Sequence, residues 1–165
     1  MSHYPCTHPA LAIMHKIGII SDTHGLVRPQ ALELLTGVEL IVHAGDIGKP
    51  EVLEQLQSLA PVIAVRGNVD KGSWADPLAE TETFSVAGKQ FLVIHNIAEL
   101  DPAVAGENDA IIFGHSHKPC NEVRDSVLYF NPGSAGPRRF KLPIALGILS
   151  VTSNEVEGKV LEITL

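Results

Sequence analysis

At 165 residues, 45% of them hydrophobic and 19% charged, the chain has the size and composition of one compact domain that can fold without a disulfide framework or a structural metal. A formal charge of −7, with twelve Lys and Arg scattered along the sequence, argues against bulk nucleic-acid binding, which needs a basic stripe. No apolar run approaches the roughly 20 residues of a membrane helix, and only two cysteines occur, Cys6 and Cys120, so a reducing, cytoplasmic setting is expected; a homo-oligomer stays open.

Residues 1–15 read as an N-terminal extension. Pro5, Pro9, His3 and His8 follow no period, the apolar stretch Ala10 to Met14 is too short for a signal peptide, and Met14 is a candidate start. Residues 16–165 read as a single domain. Lys16 to Ser21 has the apolar, β-branched character of a strand, Arg28 to Leu35 that of a helix with Pro29 in its first turn, and Glu39 to Val42 that of a second strand. A second helix over Pro50 to Leu59 and a third strand over Val62 to Val65 complete a βαβαβ unit with a parallel sheet. Beyond it, Thr81 to Val86 and Gln90 to Ile94 flank a glycine turn, Ala110 to Phe113 is a buried strand, and Val123 to Arg124 and Val127 to Phe130 flank Asp125 and Ser126. Ile144 to Val151 and Val156 to Thr164 pair around Asn154. So many apolar strands predict an α/β fold of two sheets packed face to face with helices outside.

Five of these strands run straight into residues able to bind a metal. They are Asp22 and His24, Asp46 after Gly45, Asn68 after Gly67, His95, and His115 and His117 after Gly114. Ligands bind in the crevice beyond the carboxyl ends of strands, where loops converge, so residues distant in sequence become neighbours there. The glycines let the backbone turn sharply, and the members of Asp22/His24 and His115/His117, two apart, can point the same way in extended chain. Carboxylate, imidazole and amide ligands suit Mn²⁺, Fe²⁺, Ni²⁺ or Zn²⁺, with Mn²⁺ the first expectation. Seven ligand side chains exceed the needs of one tetrahedral zinc, so two divalent cations sharing a carboxylate are expected.

Several residues carry a weaker signal. His43 lies on a strand and reads as structural. Arg66 and Asp70 are candidates for phosphate contact or for support of the ligands. Arg138, Arg139 and Lys141 read as a solvated loop, Trp74 as the cap of a core. The turn Asn131 to Ser134 is either a plain turn or a border of the site whose N–H groups meet phosphate.

Together the five blocks resemble the calcineurin-like metallophosphoesterase superfamily, whose pattern reads D-x-H, G-D, G-N, H and G-H-x-H. The short length and the turn Asn131 to Ser134 are similar to its small single-domain YfcE-like phosphodiesterases. The resemblance implies a four-layer α/β/β/α sandwich, with Asp22, His24, Asp46 and His117 on one cation and Asp46, Asn68, His95 and His115 on the other. Asp46, Asn68 and His95 then serve catalysis, and a metal-bound hydroxide attacks a small phosphate ester. Val69 stands where many relatives carry a histidine after Gly-Asn, which implies weak general-acid help unless Asp70 or the substrate supplies a proton. Asn96 stands where glycine often follows the fourth-block histidine, and asparagine tolerates left-handed backbone. A phosphodiesterase is the first expectation. Phosphomonoester hydrolysis at the same metals is the second, and a non-catalytic protein-interaction scaffold of the same fold is the third.

Overall fold

The computed structural model describes residues 13–165, so the readings of His3, His8 and Cys6 lie outside the described residues. In chain order, β1 (His15–Ile20), α1 (Pro29–Leu35), β2 (Leu40–His43), α2 (Pro50–Gln57) and β3 (Val62–Ala64) form the expected βαβαβ unit, with β1, β2 and β3 mutually parallel. Each helix opens on a proline, whose missing N–H would have had no partner in a first turn anyway. Each buries an i, i+4 pair, Ala31 with Leu35 and Val52 with Leu56.

The second half contributes β4 (Thr81–Val86), β5 (Lys89–Ile94), β6 (Ala110–Ile112), β7 (Cys120–Arg124) and β8 (Val127–Asn131), then β9 (Ala145–Val151) and β10 (Val156–Glu162). One sheet runs β10-β9-β1-β2-β3 and the other β4-β5-β6-β8-β7, both mixed. The last hairpin therefore returns to the first sheet, where β9 lies antiparallel to β1 with Ile17 opposite Leu149.

Three apolar layers separate four structural ones. Ile17, Ile19 and Val42 of the first sheet meet Phe91, Val93, Ile112 and Phe130 of the second, all buried between the sheets. On the outer face of the first sheet, α1 and α2 cover Ile20, Ile41 and Leu146. On the outer face of the second, a 3₁₀ turn (Ile97–Glu99) and a single-turn helix α3 (Pro102–Ala105) lie over Leu92, Ile111 and Phe113. This is the expected α/β/β/α order, with a thinner fourth layer that the sequence did not announce. Asn96 adopts ordinary extended backbone (φ −109°), and its side-chain oxygen accepts from the Ala98 N–H to cap the 3₁₀ turn, so the left-handed turn expected at this position is not formed.

Packing the sheets face to face brings the carboxyl ends of β1, β2, β3, β5 and β6 to one rim. Backbone hydrogen bonds lace the loops that leave them: Asp22 N–H to Gly45 O and His24 N–H to Asp46 O across the first sheet, and Gly114 N–H to His95 O across the second, each 3.0 Å.

Candidate metal centre

At this rim the chain leaves its strands through left-handed backbone. Asp22 (φ 54°), His24 (46°), Asp46 (55°), His115 (72°) and His117 (60°) all have positive φ, a conformation costing non-glycine residues roughly 1–2 kcal/mol each. The two-residue spacing of Asp22/His24 and His115/His117 thus works through tight turns, and the extended-chain geometry expected for these pairs is not what is found. The glycines also divide. Gly45 has φ 99° and needs its conformational freedom, whereas Gly67 and Gly114 are held by close approach. A Cβ on Gly67 would overlap the Asp46 backbone N, and one on Gly114 would overlap the Ser21 hydroxyl and crowd Asp22 Oδ2.

The side chains so aimed converge. His117 Nε2 lies 3.3 Å from Asp22 Oδ1 and 3.3 Å from His24 Nε2. Asp46 Oδ2 lies 3.3 Å from His95 Nε2 and 3.7 Å from His24 Nε2. Asp22, His24 and His117 offer one group of atoms close enough to share a cation, and Asp22, Asp46 and His95 offer another. His95 sets its ring edge-on to His115, centroids 5.2 Å apart at 84°, and Asn68 sits with His95 on the wall of an adjoining pocket. His115 and Asn68 are exposed at the mouth, whereas Asp22, Asp46, His95 and His117 are buried.

The chemistry of this set fits a cation. Asp22 Oδ1 and His95 Nε2 are buried and lack a hydrogen-bond partner of good geometry, an expensive state for polar atoms unless something positive lies between them. His95 Nδ1 is 2.7 Å from Ala44 O; donating its N–H there leaves the Nε2 lone pair facing Asp46, the tautomer a metal ligand needs. The other oxygens of the aspartates are fixed by donors, Asp22 Oδ2 by the Ser21 hydroxyl (2.6 Å) and the His115 N–H (3.1 Å), Asp46 Oδ1 by the Val69 N–H (3.1 Å). Burial alone would raise the Asp46 carboxyl, but the adjacent His95 ring, which can carry positive charge, the Val69 N–H and His24 hold it down at about 2. Burial would likewise lower His95, yet the neighbouring Asp46 carboxylate and Ala44 O, which favour its protonated form, leave it raised, while burial prevails at His24 and lowers it. The Asp46–His95 side of the cluster thus favours positive charge.

Behind these side chains runs a support layer. Asp70, 3% exposed, accepts three backbone N–H groups, from Ile47 (3.2 Å), Gly48 (2.9 Å) and Gly67 (2.8 Å), and so clasps the Asp46 loop to the Asn68 loop. The turn Asn131 to Ser134 spends its donors on protein: Asn131 Nδ2 donates to Gly114 O (3.0 Å) and the Ser134 hydroxyl to Asp22 O (2.9 Å). It therefore borders the site as a brace. Ser134 lies in the turn that the sequence offered as a border of the site, whereas Ser21 and Thr23 gave no such signal, because a single serine or threonine carries none until the fold supplies its partners.

His43 is wholly buried on β2. The Thr23 hydroxyl donates to Ile47 O (2.9 Å) and lies 2.9 Å from His43 Nε2, while His43 Nδ1 accepts the Gly45 N–H (3.1 Å). This pattern fixes the neutral Nε2–H tautomer, and burial, prevailing over the nearby aspartates, depresses the imidazole to about 4. An unfolded histidine titrates near 6.5, so between these values the unfolded chain takes up the proton first. Stability from His43 is complete above about pH 6.5 and is lost as pH falls towards 4, on the order of 2 kcal/mol of it by pH 5. Denaturant unfolding at pH 5 and 7.5 should therefore show a larger acid loss in wild type than in His43→Gln; equal losses would contradict the buried neutral tautomer.

The remaining candidates scatter. Arg66 pairs with Glu80 at 3.6 Å rather than with an aspartate of the centre. Trp74 packs against the helix-side core. Arg138, Arg139 and Lys141 are exposed, and the Arg139 charge reaches His24, where it works against protonation. Burial raises the Cys120 thiol, which donates to Tyr129 O at 3.7 Å, so no thiolate ligand forms there. No helix among the described residues is long and apolar enough to cross a membrane.

A rim of strand ends carrying aspartates and histidines over two mixed sheets defines a class, and comparison with known proteins identifies it. The calcineurin-like phosphoesterase superfamily domain matches residues 15–154, and the chain belongs to that superfamily. A probable metallophosphoesterase of Methanothermobacter thermautotrophicus is 33% identical over 165 residues, 88% of this chain and 91% of that protein. Phosphodiesterase YfcE of Escherichia coli is 29% identical, over 82% of this chain and 88% of its own, and its solved structure superposes with a TM-score of 0.68, covering 90% of this chain and all of that one at 25% identity. The fold alone is shared with vacuolar protein sorting 29 from Cryptosporidium parvum, at a TM-score of 0.78 and 19% identity over 92% of each chain.

Proposed function

We propose that this chain is a phosphodiesterase that hydrolyses small organic phosphate esters with two divalent cations, Mn²⁺ before Ni²⁺, Fe²⁺ or Zn²⁺. The observation that carries this reading is the pair of adjoining ligand groups that share Asp22, one with His24 and His117 and the other with Asp46 and His95, linked by Asp46 Oδ2 lying 3.7 Å from His24 Nε2. In this reading Asp22, His24, Asp46 and His117 hold one cation, Asp46, Asn68, His95 and His115 hold the other, and residues 16–165 act as one domain. Such a pair supplies Lewis acidity, bringing the pKa of water from about 15.7 towards about 7 and drawing charge from phosphoryl oxygens.

The chain's own residues do the rest. Asp22 and Asp46 set the negative charge of the centre, Ala44 O locks the His95 ring, and the left-handed turns bring sequence-distant ligands within reach of one phosphate. No side chain of the Gly67 to Asp70 turn offers a proton: Val69 has none to give, and the Asp70 carboxylate is committed to three N–H groups. General-acid help is generally worth about 10²- to 10⁴-fold, so esters with acidic leaving groups should be strongly preferred.

Metal analysis of the purified protein joined to a phosphate-ester panel tests this reading. Mn²⁺-dependent cleavage of bis(p-nitrophenyl) phosphate faster than of p-nitrophenyl phosphate is the expected result, and cleavage of the monoester alone would shift the reading to a phosphomonoesterase. The likeness to vacuolar protein sorting 29 favours one other reading, a protein-interaction scaffold of the same fold. A purified chain that binds no divalent metal and cleaves neither ester would select it.

A further inference from the structure

The proposed centre opens on one side into a pocket of about 260 Å³, whose inner edge is Asn68 and His95. Sites for drug-sized ligands generally run to roughly 300–1,000 Å³ with mostly apolar walls. This one is smaller, and its walls are mainly polar, lined by Arg66, Glu80, Thr81, Asn96 and Glu99, with Ile94 the one large apolar residue among them. Arg66 and Glu80 carry opposite charges 3.6 Å apart, so with Glu99 the wall holds two carboxylates against one guanidinium. Asn96 uses its oxygen to cap the 3₁₀ turn, and that leaves its Nδ2 donors free.

We propose that this pocket receives an uncharged, hydroxylated alcohol group of the ester, of glycerol to sugar size. The inference rests on the phosphodiesterase reading, since it is the phosphate held by Asn68 and His95 that would place one of its two ester groups here. An alkyl or aryl group finds little apolar surface in this pocket, so its burial contributes little. Hydroxyl groups find both partners they need, acceptors on Glu80, Glu99 and Thr81 and donors on Asn96 and Thr81. A second phosphate or carboxylate would enter a wall where Glu80 and Glu99 outnumber Arg66, and is disfavoured.

The test keeps the chemical step fixed. Three diesters sharing the p-nitrophenolate leaving group carry glyceryl, propyl or phosphoglyceryl as the second alcohol, and kcat/KM is measured with the Mn²⁺-loaded full chain. The glyceryl ester should exceed both others by about tenfold, the scale of one net hydrogen bond. Asn96→Asp keeps the capping oxygen and removes the free donors, so the glyceryl-to-propyl ratio should fall towards one. Glu99→Gln should raise the phosphoglyceryl ester relative to the glyceryl one. Calorimetric binding of glycerol 1-phosphate against propyl phosphate reads the same preference without turnover, with about tenfold tighter binding expected of the former. Equal binding, equal wild-type rates or an unchanged ratio in Asn96→Asp would overturn the pocket assignment. Selective binding with no hydrolysis of any diester would overturn the phosphodiesterase reading and leave the pocket standing.

Discussion

Replacing Asp46 with asparagine should lower Mn²⁺-dependent kcat/KM by well over about 10²-fold while leaving the fold intact. Residues that merely orient metal ligands typically cost 10- to 100-fold when changed, and in the proposed reading Asp46 is itself a ligand of both cations. Its Oδ2 is the oxygen that reaches both halves of the cluster, 3.3 Å from His95 Nε2 and 3.7 Å from His24 Nε2. Its carboxyl, held at about 2, is charged at every pH at which the protein would work. An asparagine keeps the acceptor for the Val69 N–H but turns an amide N–H₂ towards the imidazoles, so it removes the shared anion at little cost to packing. Bound metal per chain should fall in parallel, and the midpoint of thermal unfolding of the metal-free protein should move by no more than a few degrees. Activity retained within tenfold would show that Asp46 does not serve both cations.

Asp70→Ala should act through stability instead. Three backbone N–H groups from two loops end on this one carboxylate, which is 3% exposed, and alanine leaves all three without an acceptor. An orphaned buried donor costs about 1–3 kcal/mol, so a loss on the order of 3–5 kcal/mol in urea unfolding is expected, allowing for water entering the gap. Asp70→Asn retains one oxygen and should lose less. Because the clasp joins the Asp46 loop to the Asn68 loop, Mn²⁺ affinity in Asp70→Asn should also drop by about 10- to 100-fold. A change below 1 kcal/mol in Asp70→Ala would mean that the loops hold their places without the clasp.

Much of the centre was legible in the sequence because its signals are local. An apolar strand ending in glycine and a ligand-type side chain is readable at Gly45-Asp46 or Gly114-His115 without knowing what lies across the sheet. Amphipathic helices with a leading proline announced α1 and α2 in the same way. What escaped depends on contacts between distant segments. Nothing near Ser134 says that its hydroxyl will meet Asp22 O, and nothing near Glu80 says that it will engage Arg66. The return of β9 to pair with β1 is a tertiary choice, made by the apolar faces of Leu149 and Val151 against Ile17 and Ile19. The 3₁₀ turn and α3 are too short to show a helical period, so the outer layer of the second sheet stayed hidden. Two-residue spacing was readable, but its geometry was not: alternation in extended chain and a left-handed turn both bring residues i and i+2 to one side, and only the φ values of Asp22, His24, His115 and His117 separate them.

Anomalous diffraction from crystals grown with Mn²⁺ tests the cation pair most directly. Two peaks are expected within the ring of ligands, one against Asp22, His24 and His117 and the other against Asn68, His95 and His115, with Asp46 touching both. A single peak, or manganese bound elsewhere while these side chains keep their present contacts, would contradict it.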